Sequence, residues 1–253
     1  MRLVENPEQC YEYLQSLSKL SPHDNGIDKG FGTESMLMEY VGGTKYVTDV
    51  VMFRGKLLAA FVSESGPFHP PYFCNTSHIM PAGLSPEKQA QLRTAAYQSC
   101  RHCGLVHGIF NVDMKMTERG PKVIEINPRS GGFYLPAWTK AVYGVDIIMV
   151  AFFLCCDIQP HLWTPEPRGY CVGISTPEAV ESSTTFTHLL RSLQEKNLIW
   201  LLMISEMEDR VTLHLSSFSP SKEEAVQRLL LISQALGLNT EQHPFRHFLE
   251  PLM

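Results

Sequence analysis

Apolar and polar residues alternate most regularly between Gly108 and Asn127, where the chain reads Ile109-Phe110-Asn111-Val112-Asp113-Met114-Lys115-Met116, turns at Glu118-Arg119-Gly120-Pro121 and returns as Lys122-Val123-Ile124-Glu125-Ile126-Asn127. A period of two predicts a β-hairpin, because successive side chains of a strand point to opposite faces. Asn111, Asp113 and Lys115 then share one face, with Phe110, Val112 and Met114 on the other, and Glu125 and Asn127 share a face of the returning strand. A turn centred near Arg119 sets Asp113 about opposite Glu125. The same alternation predicts strands over Ser35–Val41, Lys45–Phe53, Leu57–Val62 and, briefly, Thr76–Ala82.

Helical spacing and caps supply the other elements. Asn6-Pro7-Glu8-Gln9 starts a helix with a buried stripe of Leu14, Leu17 and Leu20, ended by Ser21–Gly26 and followed by a polar connector over Asp28–Thr33. Ser85-Pro86-Glu87 caps a second helix, in which Leu92, Ala96, Tyr97 and Cys100 recur at helical spacing and Gly104 closes the end. A third runs to Tyr143, and Gly144 breaks it before an apolar run, Ile147–Cys156, predicted to be a buried helix segment and too short to span a bilayer. Composition shifts at Pro165-Glu166-Pro167, so a boundary is placed there, with residues 1–165 as the main domain and 166–253 as a small α+β unit. That unit is expected to contain a strand over Tyr170–Ser175, a helix over Thr184–Lys196, a hairpin over Ile199–Ser216 and a helix from Ser221 through Leu236.

Composition narrows the classes. The 253 residues are 44% hydrophobic, enough for a sizeable core. A formal charge of -5 provides no basic field, which disfavours nucleic acid and anionic membrane as partners. Met1-Arg2-Leu3-Val4-Glu5 leads directly into polar sequence with no signal peptide pattern, so a cytoplasmic protein is expected. Seven cysteines in a chain this long do not form a secreted disulfide framework. Cys100-x-x-Cys103, near His102 and His107, lacks a second pair at zinc-ribbon spacing and falls at the end of a helix, so a structural role is expected.

Candidate chemistry lies on the hairpin. Two carboxylates and an amide oxygen on rigid strands suit a hard divalent cation, which takes oxygen ligands and completes its shell with water or phosphate. Arg129, two residues after Asn127, offers a guanidinium to phosphate or acyl-phosphate oxygens, and Gly131-Gly132 let the backbone approach a ligand closely. The plain alternative is a half-buried hairpin whose acids face water. His78 is either a contact to phosphate or substrate or, as lone histidines commonly are, a structural residue.

Phe110-Asn111-Val112-Asp113 followed by Glu125-Ile126-Asn127-Pro128-Arg129-Ser130-Gly131-Gly132 resembles the metal-binding end of the ATP-grasp superfamily. The resemblance implies an α+β ATP-grasp fold, in its C-terminal portion, followed by a small α+β subdomain. It also implies ADP-forming ligation of a carboxylate to an amine, with ATP and Mg²⁺ (or Mn²⁺) as cofactors. By the same resemblance Asp113, Glu125 and Asn127 hold the metal, Arg129 is catalytic, and Met38, Glu39, Tyr40 and Val41 form the hinge whose backbone meets adenine. Lys45 departs from the family pattern, which often has an acid there near the ribose. The detail is nearest to ligases that join β-alanine to L-histidine, with a general amino-acid ligase or a non-catalytic nucleotide-binding fragment as alternatives. A homo-oligomer is compatible with it. A lysine-bearing strand and a Gly-rich phosphate loop normally precede the segment resembling Leu3–Pro7, so a portion of a longer ligase is expected.

Overall fold

The computed structural model describes residues 3–17, 35–66, 68–69, 74–75, 77–163, 166–176, 184–207, 210–238 and 248–249. The chain forms two compact units, one of Met1–Val41 with Pro71–Phe73, the other of Gly42–Pro70 with Cys74–Met253.

In the first unit, α1 (Pro7–Leu17) starts where the cap predicts: the Gln9 N–H donates to Asn6 Oδ1 at 2.9 Å, and Gln9 Oε1 accepts from the Glu5 N–H at 3.0 Å. The expected apolar stripe is not buried. No residue of α1 is buried and Leu14 is exposed, while Leu20 and the connector over residues 21–33 lie outside the described residues. The strand expected over Ser35–Val41 is also corrected, since these residues form no ladder. Met36, Leu37 and Met38 are apolar in succession, so the run commits no single face to a core, and a strand is stabilised through its pairing and its buried face.

The second unit is built on an antiparallel sheet of eight strands: β1 (Lys45–Phe53), β2 (Lys56–Ser65), β5 (Ser77–Met80), β6 (Gly108–Thr117), β7 (Gly120–Asn127), β8 (Tyr170–Ser175), β9 (Leu201–Met207) and β10 (Arg210–Ser219). Their spatial order is β7-β6-β1-β2-β5-β8-β10-β9, and β3 (Phe68–His69) pairs separately with β4 (Cys74–Asn75). Between the strands run α2 (Pro86–His102), α3 (Leu135–Tyr143), α4 (Ile147–Cys155) and α5 (Thr184–Glu195), and α6 (Lys222–Ala235) follows the last strand.

Alternation along the strands divides the core. Val50, Val62, Val112 and Met114 pack with Leu92, Ala96 and Cys100 of α2, and further along that face Val172, Ile174, Leu213 and Leu215 pack with α5 and α6. Val47, Val51, Phe61, Met80 and Cys171, one residue out of phase, face α3 and α4, where Trp138, Val142 and Ile147 are fully buried. The boundary expected at 165/166 falls between α4 and β8, and strands from both sides of it share the sheet, with His78 of β5 opposite Gly173 of β8.

Helix α4 departs from expectation. Ile147, Val150 and Leu154 are buried, but Ile148, Met149, Phe152 and Phe153 are exposed, because a short helix lying on a sheet covers one stripe only. Among the described residues no single helix is long and apolar enough to cross a membrane.

Candidate functional site

The hairpin predicted from alternation is β6–β7, and Asp113 stands directly opposite Glu125, with Asn111 opposite Asn127. Beyond Asp113 the register slips, so that Met114 opposes Val123 and Ile124 is the extra residue of a bulge. Asp113 is buried and Glu125 exposed, which puts the carboxylate pair at the rim of the sheet. Asn127 Nδ2 donates to Glu125 Oε1 at 3.0 Å, orienting the carboxylate and leaving the amide oxygen as an acceptor. From β1, the Lys45 ammonium is ion-paired with the Asp113 carboxylate. Burial raises the Asp113 pKa, Lys45 counteracts this, and the facing Glu125 adds to the rise.

Arg129 begins the loop after β7. Its N–H donates to the Asn127 carbonyl at 2.8 Å and its Nη1 to the Ser130 carbonyl at 2.8 Å, so the guanidinium is exposed at a turn folded on itself. Two residues on, the Gly131 N–H donates to Asp49 of β1, 2.9 Å from Oδ1 and 3.2 Å from Oδ2. Asp49 Oδ1 also accepts from Asn111 Nδ2 at 2.7 Å. Its burial pushes the carboxyl pKa up to about 6, against the Asn111 and Gly131 hydrogen bonds. Asp49 escaped the motif reading. Its signal is a lone carboxylate inside Val47-Thr48-Asp49-Val50-Val51, four residues after Lys45 and therefore on the same face.

Farther across that face, His78 Nδ1 lies 2.7 Å from the Tyr134 hydroxyl. Burial, with Lys45 and His214 nearby, holds the His78 pKa down to about 3, so the imidazole is neutral. Tyr134 stacks on Trp138 at 4.3 Å, and the exposed Phe133 ring packs on His214 of β10 at 4.2 Å. His214 in turn contacts the Ser175 hydroxyl through Nδ1 at 2.7 Å. Sequence inspection passed over His214 because nothing local marks it. The structure therefore gathers Asp113, Glu125, Asn127 and Arg129 on one side of the sheet with His78 on the same face. Met38, Glu39, Tyr40 and Val41 belong to the other compact unit, where Met38, Glu39 and Tyr40 are exposed. Cys100 packs in the core under α2, and Cys103 is the exposed C-cap of that helix.

Among the described residues no group of three or more His, Cys, Asp or Glu is assembled for a metal. The donors here are of another kind: two facing carboxylates and an amide oxygen, hard oxygen groups, with burial first and then the facing Glu125 raising the Asp113 pKa. That chemistry fits Mg²⁺, which is bound by few protein carboxylates and completes its shell with water and phosphate.

Comparison with known proteins gives the following. Residues 32–168 match a family model described as ATP-grasp in the biosynthetic pathway with Ter operon. Carnosine synthase 1 of Homo sapiens is 40% identical over 263 residues, covering 98% of this chain and 32% of that protein. Carnosine synthase 1 of Gallus gallus is 38% identical, covering 98% of this chain and 28% of its own length. The chain thus spans about a third of the length of these curated relatives. Among solved structures, L-amino acid ligase from Bacillus licheniformis superposes with a TM-score of 0.71 at 13% identity, over 92% of this chain and 60% of that one. The biotin carboxylase domain of Hydrogenobacter thermophilus 2-oxoglutarate carboxylase, in complex with MgADP, ADP and bicarbonate, gives 0.63 at 16% identity, over 93% and 53%.

Proposed function

This chain belongs to the ATP-grasp family, its fold being the α+β fold of that family, and from this premise we propose that it serves an ATP-dependent, ADP-forming carboxylate–amine ligase. The observation that carries the reading is the placement of Asp113 opposite Glu125, with Asn127 bonded to Glu125 and Arg129 at the following turn.

In the proposed reaction the γ-phosphoryl group passes from ATP to a carboxylate, giving ADP and an acyl phosphate. The amine then attacks the acyl carbon, loses a proton, and expels phosphate to leave an amide. Asp113 and Glu125, with the Asn127 oxygen, would hold Mg²⁺. When bound, the ion supplies positive charge to the phosphate oxygens. The Asn127 amide keeps Glu125 turned toward Asp113, and Lys45 balances the Asp113 charge. Arg129 offers a planar guanidinium to the oxygens of the transferred group, where charge-assisted, bidentate hydrogen bonds are strongest. The backbone of Met38–Val41 is assigned to adenine by the family resemblance.

β-Alanine and L-histidine are the proposed substrates, supported by the resemblance and by identities near 40% to proteins named carnosine synthase 1. The test measures ADP release and amide formation with Mg²⁺-ATP and either β-alanine or α-alanine, each with L-histidine. Release that requires both β-alanine and L-histidine supports the pair, and preference for α-alanine moves the assignment to a general amino-acid ligase. Mg²⁺-dependent nucleotide binding without turnover supports a nucleotide-binding module instead. Nucleotide binding indifferent to Mg²⁺ overturns the metal site.

A further inference from the structure

Asp49 occupies the middle of β1, between Val47 and Val51, on a sheet face where its neighbours Val47, Val51 and Phe61 are core residues. Burying a carboxylate among them is unfavourable unless its oxygens are engaged, and an aliphatic side chain would avoid the cost. The engagement is specific. One oxygen accepts from the side chain of Asn111 on β6 and from the main chain of Gly131, and the second lies 3.2 Å from the same Gly131 nitrogen. Three segments distant in sequence meet at one carboxylate.

The loop is shaped to reach it. A Cβ at Gly131 would come within 2.7 Å of Leu135 Cδ1 and 3.1 Å of Asp49 Oδ2, so the backbone is held between the start of α3 and the carboxylate. The hydrogen bonds of Arg129 itself go to Asn127, at the end of β7, and to Ser130, which form the turn without tying it to β1 or β6. The tie comes two residues later, through Gly131. Arg129 and Asp113 both lie within electrostatic reach of Asp49, the guanidinium drawing its pKa down and the Asp113 carboxylate pushing it up.

We propose that Asp49 is a positioning residue, whose buried carboxylate locks the Arg129 loop to β1 and β6 and so fixes the guanidinium for an acyl-phosphate or phosphate group. The nature of the ligand rests on the ligase reading above, whereas the lock does not. A misplacement of about 1 Å at a binding group can cost on the order of a hundredfold, so a lock on the main chain beside Arg129 is a lever on ligand binding.

The test is Asp49→Asn, which keeps an oxygen for Asn111 and Gly131 but removes the charge and replaces the oxygen 3.2 Å from the Gly131 nitrogen by an NH₂ group facing that N–H. Hydrogen exchange of the Gly131 amide, affinity for Mg²⁺-ADP, and affinity for acetyl phosphate in the presence of Mg²⁺-ADP are measured on the whole chain. Expected are faster exchange at Gly131 and a loss of acetyl phosphate affinity of roughly tenfold or more, with Mg²⁺-ADP affinity within about twofold of wild type. Unchanged exchange and unchanged acetyl phosphate affinity overturn the proposal, and equal losses for both ligands make Asp49 merely structural and overturn it too. Asn111→Ser, which unties the carboxylate from β6 while leaving the Gly131 bond, is expected to act in the same direction more weakly. It decides the matter alone if Asp49→Asn does not fold. Wild-type protein that binds neither ligand overturns the ligand half of this proposal, while exchange at Gly131 still decides the lock.

Discussion

The Lys45 ammonium of β1 is ion-paired with the Asp113 carboxylate of β6, and the β6–β7 register places Glu125 against the same carboxylate. Asp113 therefore feels a cation and an anion at once, and its pKa is the balance of burial and Glu125 pushing up and Lys45 pulling down. Replacing the ammonium by an apolar chain of similar length, Lys45→Met, removes the downward pull. The Asp113 carboxyl is then expected to titrate at a higher pH than in wild type, read from its carboxyl carbon by NMR without added metal. A titration unmoved or moved downward would show that the ion pair does not govern this group.

Glu125→Gln keeps the shape of the side chain, and the Gln oxygen can still accept from Asn127. It removes one of the two charges that face a cation. Since Glu125 is exposed, the fold should survive with little change in melting temperature. Mg²⁺-dependent nucleotide binding should weaken by roughly 10–100-fold, the range typical of lost support at a metal site. Titration calorimetry at several Mg²⁺ concentrations checks this, and an unchanged Mg²⁺ dependence would remove Glu125 from the site.

How far the site could be read beforehand follows from where its information lies. The β6–β7 hairpin and the facing of Asp113 with Glu125 were legible because period-two alternation and a short turn are local signals. The bulge at Ile124 was not, because Lys122-Val123-Ile124-Glu125 carries no glycine to mark an extra residue. Asp49 and His214 were missed for a different reason. Each acquires its role from a partner far along the chain, Gly131 for one and Phe133 for the other, and a sequence pattern does not encode such meetings. For α4 the failure is one of contrast: Ile147-Ile148-Met149-Val150-Ala151-Phe152-Phe153-Leu154 is apolar on every side, so periodicity cannot single out the stripe that packs.

That contrast gives a stability prediction. Trp138 is fully buried, stacked on Tyr134 beneath the sheet face that bears the site, and Gly173 leaves room for it: a Cβ there would lie 2.6 Å from the indole. Trp138→Ala should cost about 3–5 kcal/mol, as large-to-small changes in a packed core do. Phe152, 63% exposed, should tolerate Phe152→Ser within about 0.5 kcal/mol. Urea denaturation of the two variants checks the ranking, and a comparable loss in both would mean that the outer face of α4 is covered in solution.

The last prediction concerns pH and the Asp49 carboxyl. Burial raises its folded-state pKa from an ordinary 3.8 to about 6, so between these values the folded protein holds a proton that the unfolded chain releases. Stability then falls as pH rises through that window, because the slope of unfolding free energy with pH follows the protons bound by the unfolded state minus those bound by the folded state. The contribution of Asp49 is most favourable below the lower value and levels off above the upper one. Asp113, also raised by burial, adds to the same trend in both proteins, and its coupling to Asp49 is the smallest of the influences on that carboxyl, so the comparison isolates mainly Asp49. Thermal melts of wild type and Asp49→Asn across this window should diverge, with the variant gaining relative to wild type as pH rises from about 4 to about 6 and the difference constant above that. A difference independent of pH would mean that Asp49 titrates near its ordinary value, and that its hydrogen bonds to Asn111 and Gly131 offset its burial.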